Sequence, residues 1–449
     1  MTIGTKRLVA CTNTAITTAN TPLSVLQAAS VVKDFDNSQV SSVINTAALP
    51  TAACNTGRMI YVENLNKYVV SDGTAWTDNL ESTPQYSCTF TFTWGCNAIG
   101  QLGNGTTTSR TSPALVVGGF TDWCQVSAGN RHNLGVRSNG TAWAWGCNGY
   151  GRLGDNTLTN RSSPVSVVGG FTDWCQVSAG DSHSLGVRSN GTAWAWGINS
   201  ISGKLGDGTT VSRISPVSVV GGFTDWCRVS AGYFHSLGLR TNGTLWAWGS
   251  NDFGQLGNGT TTSRTSPALV VGGFTDWCWV SAGNNFSLGV RSNGTAWAWG
   301  TNNIGQLGDG TTVNKSSPVS VVGGFTNWCQ VSAGCQHSLA VRSNGTAWAW
   351  GNNNVGRLGD GTTVNKSSPV SVVGGFTNWC QVSAGCQHSL AVRSNGTAWA
   401  WGCNGQGRLG DGTLTNRTSP VSVIGGFTNW CLISAGDSHS LALRPTKGF

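Results

Sequence analysis

Short runs in which apolar and polar residues alternate recur along most of the chain, separated by glycine, asparagine and aspartate. In one stretch this pattern predicts four strands, at residues 164–168, 174–180, 184–189 and 192–196. The Asn-Gly pair at residues 190–191 is typical of a two-residue hairpin turn. That turn predicts Leu185 opposite Trp196 and Val187 opposite Trp194. No segment shows the apolar period of a long amphipathic helix, so the pattern favours an all-β fold.

The pattern repeats in seven blocks, each marked by a Trp-Gly pair. The pairs are 51 residues apart, with one spacing of 52. Their tryptophans are Trp94, Trp145, Trp196, Trp248, Trp299, Trp350 and Trp401. A period of this length predicts a closed or stacked repeat architecture. We expect structural roles for these tryptophans and for the recurring histidines, such as His183 and His388.

The two ends of the repeat region complement each other. The first Trp-Gly unit, residues 88–95, lacks the Ser-Ala-Gly strand that precedes the others, and the last such strand, residues 434–444, lacks a Trp-Gly partner. Pairing them, with Trp94 opposite Leu441, would complete a seventh blade and remove two sheet edges. We therefore predict a seven-bladed β-propeller over residues 86–449 rather than an open solenoid.

The repeat sequence also resembles a known family. Residues 178–197, SAGDSHSLGVRSNGTAWAWG, and the Gly-Arg-Leu-Gly-Asp loop at residues 151–155 are similar to the repeats of the regulator of chromosome condensation family. The resemblance covers residues 86–449 and implies a propeller. It leaves the function open, because similar propellers serve as nucleotide exchange factors, as a plant ultraviolet-B photoreceptor and as a secreted β-lactamase inhibitor.

The first 85 residues carry a second resemblance. Residues 49–76, LPTAACNTGRMIYVENLNKYVVSDGTAW, are similar to a small β module of tail-fibre and other appendage proteins of bacterial viruses. Apolar side chains alternate there on two predicted strands: Met59, Tyr61, Tyr68 and Val70. The resemblance implies an N-terminus that attaches to other virion proteins and assembles into a homotrimer.

We accordingly divide the chain into three parts. Residues 1–48 are predicted to be an attachment and oligomerisation segment, in which residues 22–44 include a short helix beginning near Ser24. Residues 49–85 form the small β module, and residues 86–449 form the propeller.

Fifteen cysteines are present. Seven of them follow a tryptophan in successive blocks: Cys124, Cys175, Cys227, Cys278, Cys329, Cys380 and Cys431. A disulfide needs Cα atoms within about 7 Å, and copies related by rotation around a wide ring lie farther apart. We therefore expect these cysteines to be small core residues.

Some of the other cysteines fall near histidines. The predicted register places Cys147 opposite His132 and Cys403 opposite His388, with Cys386 on the same face. A nucleophile and its base, part of a metal site, or a Cys386–Cys403 disulfide are the chemical alternatives. Histidine recurs, however, whatever residue faces it, which favours a structural role. We predict no catalytic residue, no metal and no cofactor.

Positive charge is concentrated in the repeats. The propeller has 21 basic and 12 acidic side chains, a difference of +9. Two sets recur once per block: Arg110, Arg161, Arg213, Arg264, Lys315, Lys366 and Arg417, and then Arg137, Arg188, Arg240, Arg291, Arg342, Arg393 and Arg444. A positive ring is compatible with nucleic acid. Pairing with aspartates of neighbouring loops is the favoured alternative, because no basic tail accompanies the rings, and we expect no nucleic-acid binding.

The blocks differ mainly after Ser-Ala-Gly and after Trp-Gly. Residues 307–351 recur unchanged as residues 358–402, whereas these two loops change from block to block. Both leave the same end of the hairpin, and variable loops on a rigid scaffold are where binding usually resides. The candidate binding residues are Arg131, Tyr150, Tyr233, Phe234, Phe253, Asn285, Phe286 and Ile304. Drift in exposed loops is the alternative explanation.

Together these features favour a non-enzymatic virion structural protein. We expect a tail fibre or other appendage, assembled in the host cytoplasm, whose propeller recognises a glycan or protein on the host surface. No apolar run is long enough to cross a membrane. A secreted or cell-surface propeller that binds or inhibits a protein, and is therefore extracellular, is the alternative. A nucleotide exchange factor ranks third.

Overall fold

The computed structural model describes residues 89–200 and 202–445, and the backbone of residues 32–35, 59–62, 67–71 and 76–77. The first two ranges form seven four-stranded antiparallel sheets. The innermost strands contact each other in a closed cycle, which makes the sheets the blades of a propeller. The predicted seven-bladed all-β fold is confirmed.

Each blade runs from an inner strand beside the axis to an outer strand at the rim. Blade 1 is Trp123–Ala128, His132–Arg137, Ala142–Gly146 and Arg161–Ser166; blade 2 is Trp174–Ala179, His183–Arg188, Ala193–Gly197 and Arg213–Ser218; blade 3 is Trp226–Ala231, His235–Arg240, Leu245–Gly249 and Arg264–Leu269. Blade 4 is Trp277–Ala282, Phe286–Arg291, Ala296–Gly300 and Lys315–Ser320; blade 5 is Trp328–Ala333, His337–Arg342, Ala347–Gly351 and Lys366–Ser371. Blade 6 is Trp379–Ala384, His388–Arg393, Ala398–Gly402 and Arg417–Ser422; blade 7 is Leu432–Ala435, His439–Pro445, Thr89–Gly95 and Arg110–Leu115.

The outer strand of a blade comes from the chain that follows its Trp-Gly pair. Blade 2 is completed by Arg213–Ser218, in which Val217 lies opposite Ala195. The strand predicted at residues 164–168 instead belongs to blade 1. One sequence block therefore contributes to two neighbouring blades.

Blade 7 closes the ring from both ends of the repeat region. Thr89–Gly95 pairs with His439–Pro445 over seven positions, so the predicted closure is confirmed. The predicted register is wrong by one residue, because Trp94 lies opposite Ser440 and not opposite Leu441.

The same one-residue error affects the hairpin of blade 2. Leu185 lies opposite Ala195, and Ser184 lies opposite Trp196. The N–H of Arg188 donates to the Thr192 carbonyl at 3.0 Å, and only Gly191 has a positive φ, at 76°. The turn therefore has three residues and ends in a left-handed glycine, rather than two residues that both need positive φ.

The hydrophobic core lies between the blades. Leu185 and Val187 of blade 2 pack against Trp226, Val229 and Trp248 of blade 3. The same arrangement recurs around the ring. The seven tryptophans of the Trp-Gly pairs are fully buried: Trp94, Trp145, Trp196, Trp248, Trp299, Trp350 and Trp401.

The described N-terminal strands form a separate four-stranded antiparallel sheet, in the order Val32–Phe35, Met59–Val62, Lys67–Ser71 and Trp76–Thr77. The two strands predicted to carry Met59, Tyr61, Tyr68 and Val70 are present and pair with each other, with Met59 opposite Val70. Residues 32–35, within the range 22–44 in which a short helix was predicted, form a strand. Ser24, near which that helix was predicted to begin, lies outside the described residues. Within the described part of the chain, no helix is long and apolar enough to cross a membrane.

Candidate binding face

The loops that follow Ser-Ala-Gly and Trp-Gly meet at one end of each blade. The N–H of Cys147 donates to the Arg131 carbonyl at 2.8 Å, and the N–H of Ser250 donates to the Phe234 carbonyl at 3.0 Å. The equivalent bond occurs in every blade. We call this end of the propeller the variable face and the end that carries the Asn-Gly turns the constant face.

The Ser-Ala-Gly segments form a closed ring of hydrogen bonds around the axis. In every blade the serine Oγ accepts a bond from the alanine N–H of the next blade, at 2.9 to 3.0 Å. The glycine that follows has no room for a side chain, because a Cβ on Gly180 would lie 2.5 Å from the Gly232 carbonyl oxygen. The uniform sequence of this segment is therefore structural.

The six histidines form a second ring between the blades. Nε2 of His183 lies 2.9 Å from Ser236 Oγ, and Nε2 of His388 lies 2.9 Å from Ser440 Oγ. Each serine donates its own proton to a backbone carbonyl, at 2.7 Å from Ser236 to Lys204 and at 2.8 Å from Ser440 to Arg408. The imidazole must therefore donate from Nε2. These contacts are those of a structural histidine.

Burial keeps these imidazoles unprotonated. All six are fully buried. Desolvation lowers the pKa of His235 and of His439 to about 3, and it holds the pKa of His183 and of His388 well below 6.5. The cysteines predicted to face two of them do not do so, because Gly146 lies opposite His132 and Gly402 lies opposite His388. The cysteines and histidines are therefore not paired across the strands, as a nucleophile–base pair would have required.

Both recurrent sets of basic residues make ion pairs in several blades. In the first set Arg161 contacts Asp155 at 2.9 Å. In the second, Arg188 contacts Asp173 at 2.8 Å, and its guanidinium carbon lies 4.0 Å from the centroid of the Phe171 ring. The guanidinium–phenyl contact recurs in all seven blades. These contacts explain the periodic basic residues without a polyanion, whereas nucleic-acid binding stays untested.

The cysteines depart from the prediction in two ways. Cys175 is the extra residue of a β-bulge and is half-buried at the edge of the core between blades 2 and 3, with its Sγ 3.3 Å from the Val187 carbonyl oxygen. Its counterpart Cys227 takes part in a disulfide.

The disulfide near the axis was not predicted. Cys335 and Cys386 occupy equivalent positions in blades 5 and 6, and their Cα atoms are 4.5 Å apart. Cys403, the partner suggested by the sequence, carries a free thiol. Equivalent residues lie far apart at the rim and close together at the axis, so the distance argument holds only for rim positions.

The predicted binding residues do not all reach the surface. Tyr150, Phe234 and Phe253 are 53%, 41% and 42% exposed, and Arg131 is also exposed. Asn285, Tyr233 and Ile304 are half-buried on the same face.

Phe286 is the exception and its assignment is wrong. It is fully buried, because it occupies the strand position that histidine fills in the other blades. It packs with Leu288 and Trp350 in the core between blades 4 and 5. In the sequence, Phe286 directly follows the variable residues after Ser-Ala-Gly, so its replacement of histidine looks like loop variation.

A polar cluster crosses the axis on the variable face. Nδ2 of Asn130 donates to Asp181 and, at 2.6 Å, to the hydroxyl of Tyr233. Burial, and then the charges of Asp181 and Asp437, raises the pKa of Tyr233 to about 12. Burial also raises the pKa of Asp437, although the positive charges of Arg408 and Arg131 act to lower it. The first residues after Ser-Ala-Gly therefore interact across blades, which no local pattern indicated.

Four buried basic side chains lie beneath this face, at the same position of the loop that follows Trp-Gly: Arg152, Lys204, Arg357 and Arg408. Arg152 donates to the Asp181 carbonyl at 3.1 Å, and Arg357 donates to the Cys386 carbonyl at 3.1 Å. Burial lowers the pKa of Arg357 to about 10 and that of Lys204 to about 8. Blades 3, 4 and 7 have glutamine there instead. The charge beneath the face is therefore uneven around the ring.

A cleft of 170 Å³ opens where the loops of blades 3, 4 and 5 meet. Its lining includes Phe253, Asn284, Thr301, Asn303, Gln306 and Gln336. Asn285 also lines the cleft, and Phe253 and Asn285 are the predicted site residues in the lining. The others lie in loops that differ between blocks, so sequence variation indicated the region without selecting the side chains.

Comparison with known proteins identifies the family. A family model described as an RCC1-like domain matches residues 90–442. The chain belongs to this family. The match covers all seven blades and agrees with the repeat resemblance.

Several relatives of this RCC1-like chain are curated proteins. It is 31% identical over 339 residues to the ultraviolet-B receptor UVR8 of Arabidopsis thaliana, covering 73% of this chain and 76% of that protein. It is 26% identical over 381 residues to the human regulator of chromosome condensation, covering 79% and 90%. The mouse E3 ubiquitin-protein ligase HERC2 is 29% identical over 386 residues, but this RCC1-like chain matches only 8% of its length.

Solved structures share the propeller. The crystal structure of Prp20p from Saccharomyces cerevisiae has a TM-score of 0.72 at 23% identity and covers 81% of this chain and 92% of its own. Human WBSCR16 has a TM-score of 0.72 at 20% identity, with coverages of 80% and 100%. At these identities the likeness shows the RCC1-like fold alone.

The RCC1-like variable face combines apolar and polar side chains. It presents exposed aromatic rings, amides and a polar axial cluster on loops that every blade holds by the same backbone bonds. Among the described residues, no group of three or more histidine, cysteine or acidic side chains is placed to hold a metal ion.

Proposed function

We propose that this RCC1-like chain is a recognition protein whose variable face binds a glycan or protein on a cell surface. One observation carries the proposal. Side chains differ between blades on the variable face, while the backbone bonds that hold its loops recur in every blade. A rigid frame with interchangeable side chains is suited to presenting a specific binding surface.

The finer assignment is to a virion appendage. It rests on the resemblance of residues 49–76 to β modules of phage tail fibres and related proteins. In this proposal the N-terminal region attaches the chain to other virion proteins and forms a homotrimer. The propellers then project a variable face towards the host surface.

The test is binding of fluorescently labelled full-length protein to intact bacterial cells of several strains. We expect saturable binding that differs between strains. Phe234→Ala removes an exposed ring from the variable face and should weaken binding. Thr241→Ala, at an exposed turn position of the constant face, is the control and should bind like the parent.

Binding that is equal for all strains, or equally weakened by the two variants, would contradict recognition by the variable face. The oligomeric state is checked separately by light scattering. A monomeric full-length chain would remove the trimer from the proposal while leaving recognition intact.

A second candidate is a protein-binding propeller of a cell. The observation that favours it is the set of relatives, since the chain matches most of the length of a plant receptor and of a human regulator. A nucleotide exchange role is the specific form of this candidate. Accelerated release of a fluorescent guanine nucleotide from a small GTPase, with no binding to cells, would favour it over the virion assignment.

A further inference from the structure

We propose that the cleft at the junction of blades 3, 4 and 5 binds one neutral sugar residue. This inference deepens the proposed function, and it rests on that function for the biological source of the sugar. The cleft measures 170 Å³. Sites for drug-sized ligands typically span about 300–1,000 Å³, so this cleft is suited to a single ring rather than to a larger ligand.

The lining supplies polar groups without charge. Asn284, Asn303, Gln306 and Gln336 are primary amides, and Thr301 adds a hydroxyl. Each amide offers two donors and an acceptor, as a sugar hydroxyl offers a donor and an acceptor. All side chains around the cleft are neutral. A charged ligand would therefore lose its hydration there without gaining an ion pair.

Two oxygens of the lining are buried and lack a hydrogen-bond partner. They are Oδ1 of Asn284 and Oγ1 of Thr301. Buried polar atoms are nearly always paired in folded proteins, so each such exception needs an explanation. Both oxygens are closed to solvent, so they mark an incompletely bonded polar junction beneath the cleft, and a sugar hydroxyl would reach them only if the loops shifted.

Other lining groups are held in position by their neighbours. Oε1 of Gln306 accepts the N–H of Ile304 at 3.0 Å, and Oε1 of Gln336 accepts Nδ2 of Asn352 at 3.1 Å. Asn285 accepts from Nε2 of Gln255 at 3.4 Å. These bonds fix the amides before a ligand arrives, which lowers the entropy cost of binding.

Phe253 supplies an apolar wall. The residue is 42% exposed and its N–H is held by Oε1 of Gln255 at 3.0 Å. One face of a pyranose ring consists of C–H groups, and an aromatic ring can cover them while the amides contact the hydroxyls. Small-molecule sites are usually lined mainly by apolar side chains, so a cleft with one aromatic ring among amides is suited instead to a ligand rich in hydroxyl groups.

The next junction around the ring provides an internal comparison. There Ile304 stands at the position of Phe253, Cys335 at that of Asn284, and Arg357 at that of Gln306. The cysteine is tied into the disulfide with Cys386, and the arginine donates to the Cys386 carbonyl at 3.1 Å. Cys335 also lines the cleft from its blade 5 side. At the next junction, however, its disulfide and Arg357 occupy the positions that Asn284 and Gln306 hold at the cleft.

The test is saturation-transfer difference NMR on the full-length protein. The probes are the methyl glycosides of glucose, galactose, mannose and N-acetylglucosamine, with glucuronic acid and N-acetylneuraminic acid as charged comparators. We expect a saturable signal from at least one neutral glycoside and none from the acids.

Two variants and a matched control locate the site. Phe253→Ala should weaken binding at least tenfold, and so should Gln306→Arg, which copies the residue that the next blade already accommodates. Tyr150→Ala removes the aromatic residue at the same loop position of blade 1 and should leave binding unchanged. No saturable neutral glycoside, preference for the acids, or binding that survives both cleft variants would overturn the inference.

The same variants separate this inference from the proposed function. Cell binding that persists in Phe253→Ala, with no glycoside bound, would refute the sugar cleft and leave surface recognition standing. Glycoside binding without any binding to cells would establish the cleft and refute the cellular role.

Discussion

The two faces of the propeller are built from the same strands, yet they restrict their side chains to different degrees. On the constant face the turn glycine packs against the next blade: a Cβ on Gly191 would lie 2.1 Å from the Thr224 carbonyl oxygen. On the variable face the loops are held by recurring backbone bonds, such as that from the Cys147 N–H to the Arg131 carbonyl, and by one recurring asparagine after each Trp-Gly pair, such as Asn148, whose Oδ1 accepts the Leu153 N–H at 3.0 Å. The side chains between these fixed positions can therefore change without altering the frame.

This difference explains why uniformity and variability are separated in space. A position whose backbone requires glycine or whose side chain bridges two blades is repeated around the ring. A position that contributes only its backbone to the frame can take an aromatic, amide or charged side chain. The comparison can be tested at several positions, from the largest expected effect to the smallest.

The largest effect is expected on the constant face. Gly191→Ala combines a φ of 76° with a Cβ that would meet the Thr224 carbonyl oxygen at 2.1 Å. We expect the free energy of unfolding to fall by more than about 3 kcal/mol. Gly149→Ala is the control, because a Cβ there meets nothing within 4 Å; it should change stability by less than about 0.5 kcal/mol. Denaturant titration measures both, and equal effects would contradict the distinction between the faces.

The axial disulfide is the place where the variable face should contribute to stability. Replacing Cys335 and Cys386 together by asparagine, which blade 4 carries at residue 284, should lower the free energy of unfolding by about 2–4 kcal/mol. Cys403→Ser, which alters a free thiol, is the control. Denaturation midpoints that match between the double variant and the control would show that the bond adds nothing to the closed ring.

The histidine ring predicts a loss of stability in acid. The unfolded chain binds a proton at each histidine near pH 6.5, whereas burial holds the folded pKa of His388 well below that value. Stability is therefore complete above pH 6.5 and falls as the pH decreases below it, by about 1.4 kcal/mol per pH unit for each histidine.

His388→Phe tests this contribution by copying Phe286 of blade 4. Next to Phe286, Ser338 still donates to the Gln306 carbonyl at 2.8 Å, so the variant should fold. Between pH 7 and pH 5 the parent should lose about 2 kcal/mol more than the variant. Urea denaturation at the two pH values measures this difference, and an identical loss in both proteins would show that folding does not shift the pKa of His388.

The smallest effect is expected from an exposed ring on the variable face. Tyr150 is 53% exposed and contacts Arg152, whose guanidinium carbon lies 5.4 Å from the ring centroid. Tyr150→Ala should change the free energy of unfolding by less than about 0.5 kcal/mol. A larger loss in thermal or chemical denaturation would mean that this face also depends on its side chains.

Local patterns predicted much of the fold and little of the site. The seven Trp-Gly pairs predicted the number of blades. The incomplete first and last units predicted the ring closure, which Thr89–Gly95 and His439–Pro445 form. The hairpin register was wrong by one residue, because Asn190 and Gly191 are compatible with both two-residue and three-residue turns. Phe286 was assigned to the surface because its block alone does not show that it replaces an interblade histidine.

The sequence by itself determined the number of blades, the closure and the face on which variation lies, because these follow from short-range alternation and from the repeat period. Only the tertiary structure decided which side chains meet. Cys335 and Cys386 are 51 residues apart in the chain, and their Cα atoms are 4.5 Å apart in space. Contacts between blades depend on distance from the axis, which no single block encodes, so the axial disulfide and the cleft appear only once the ring is closed.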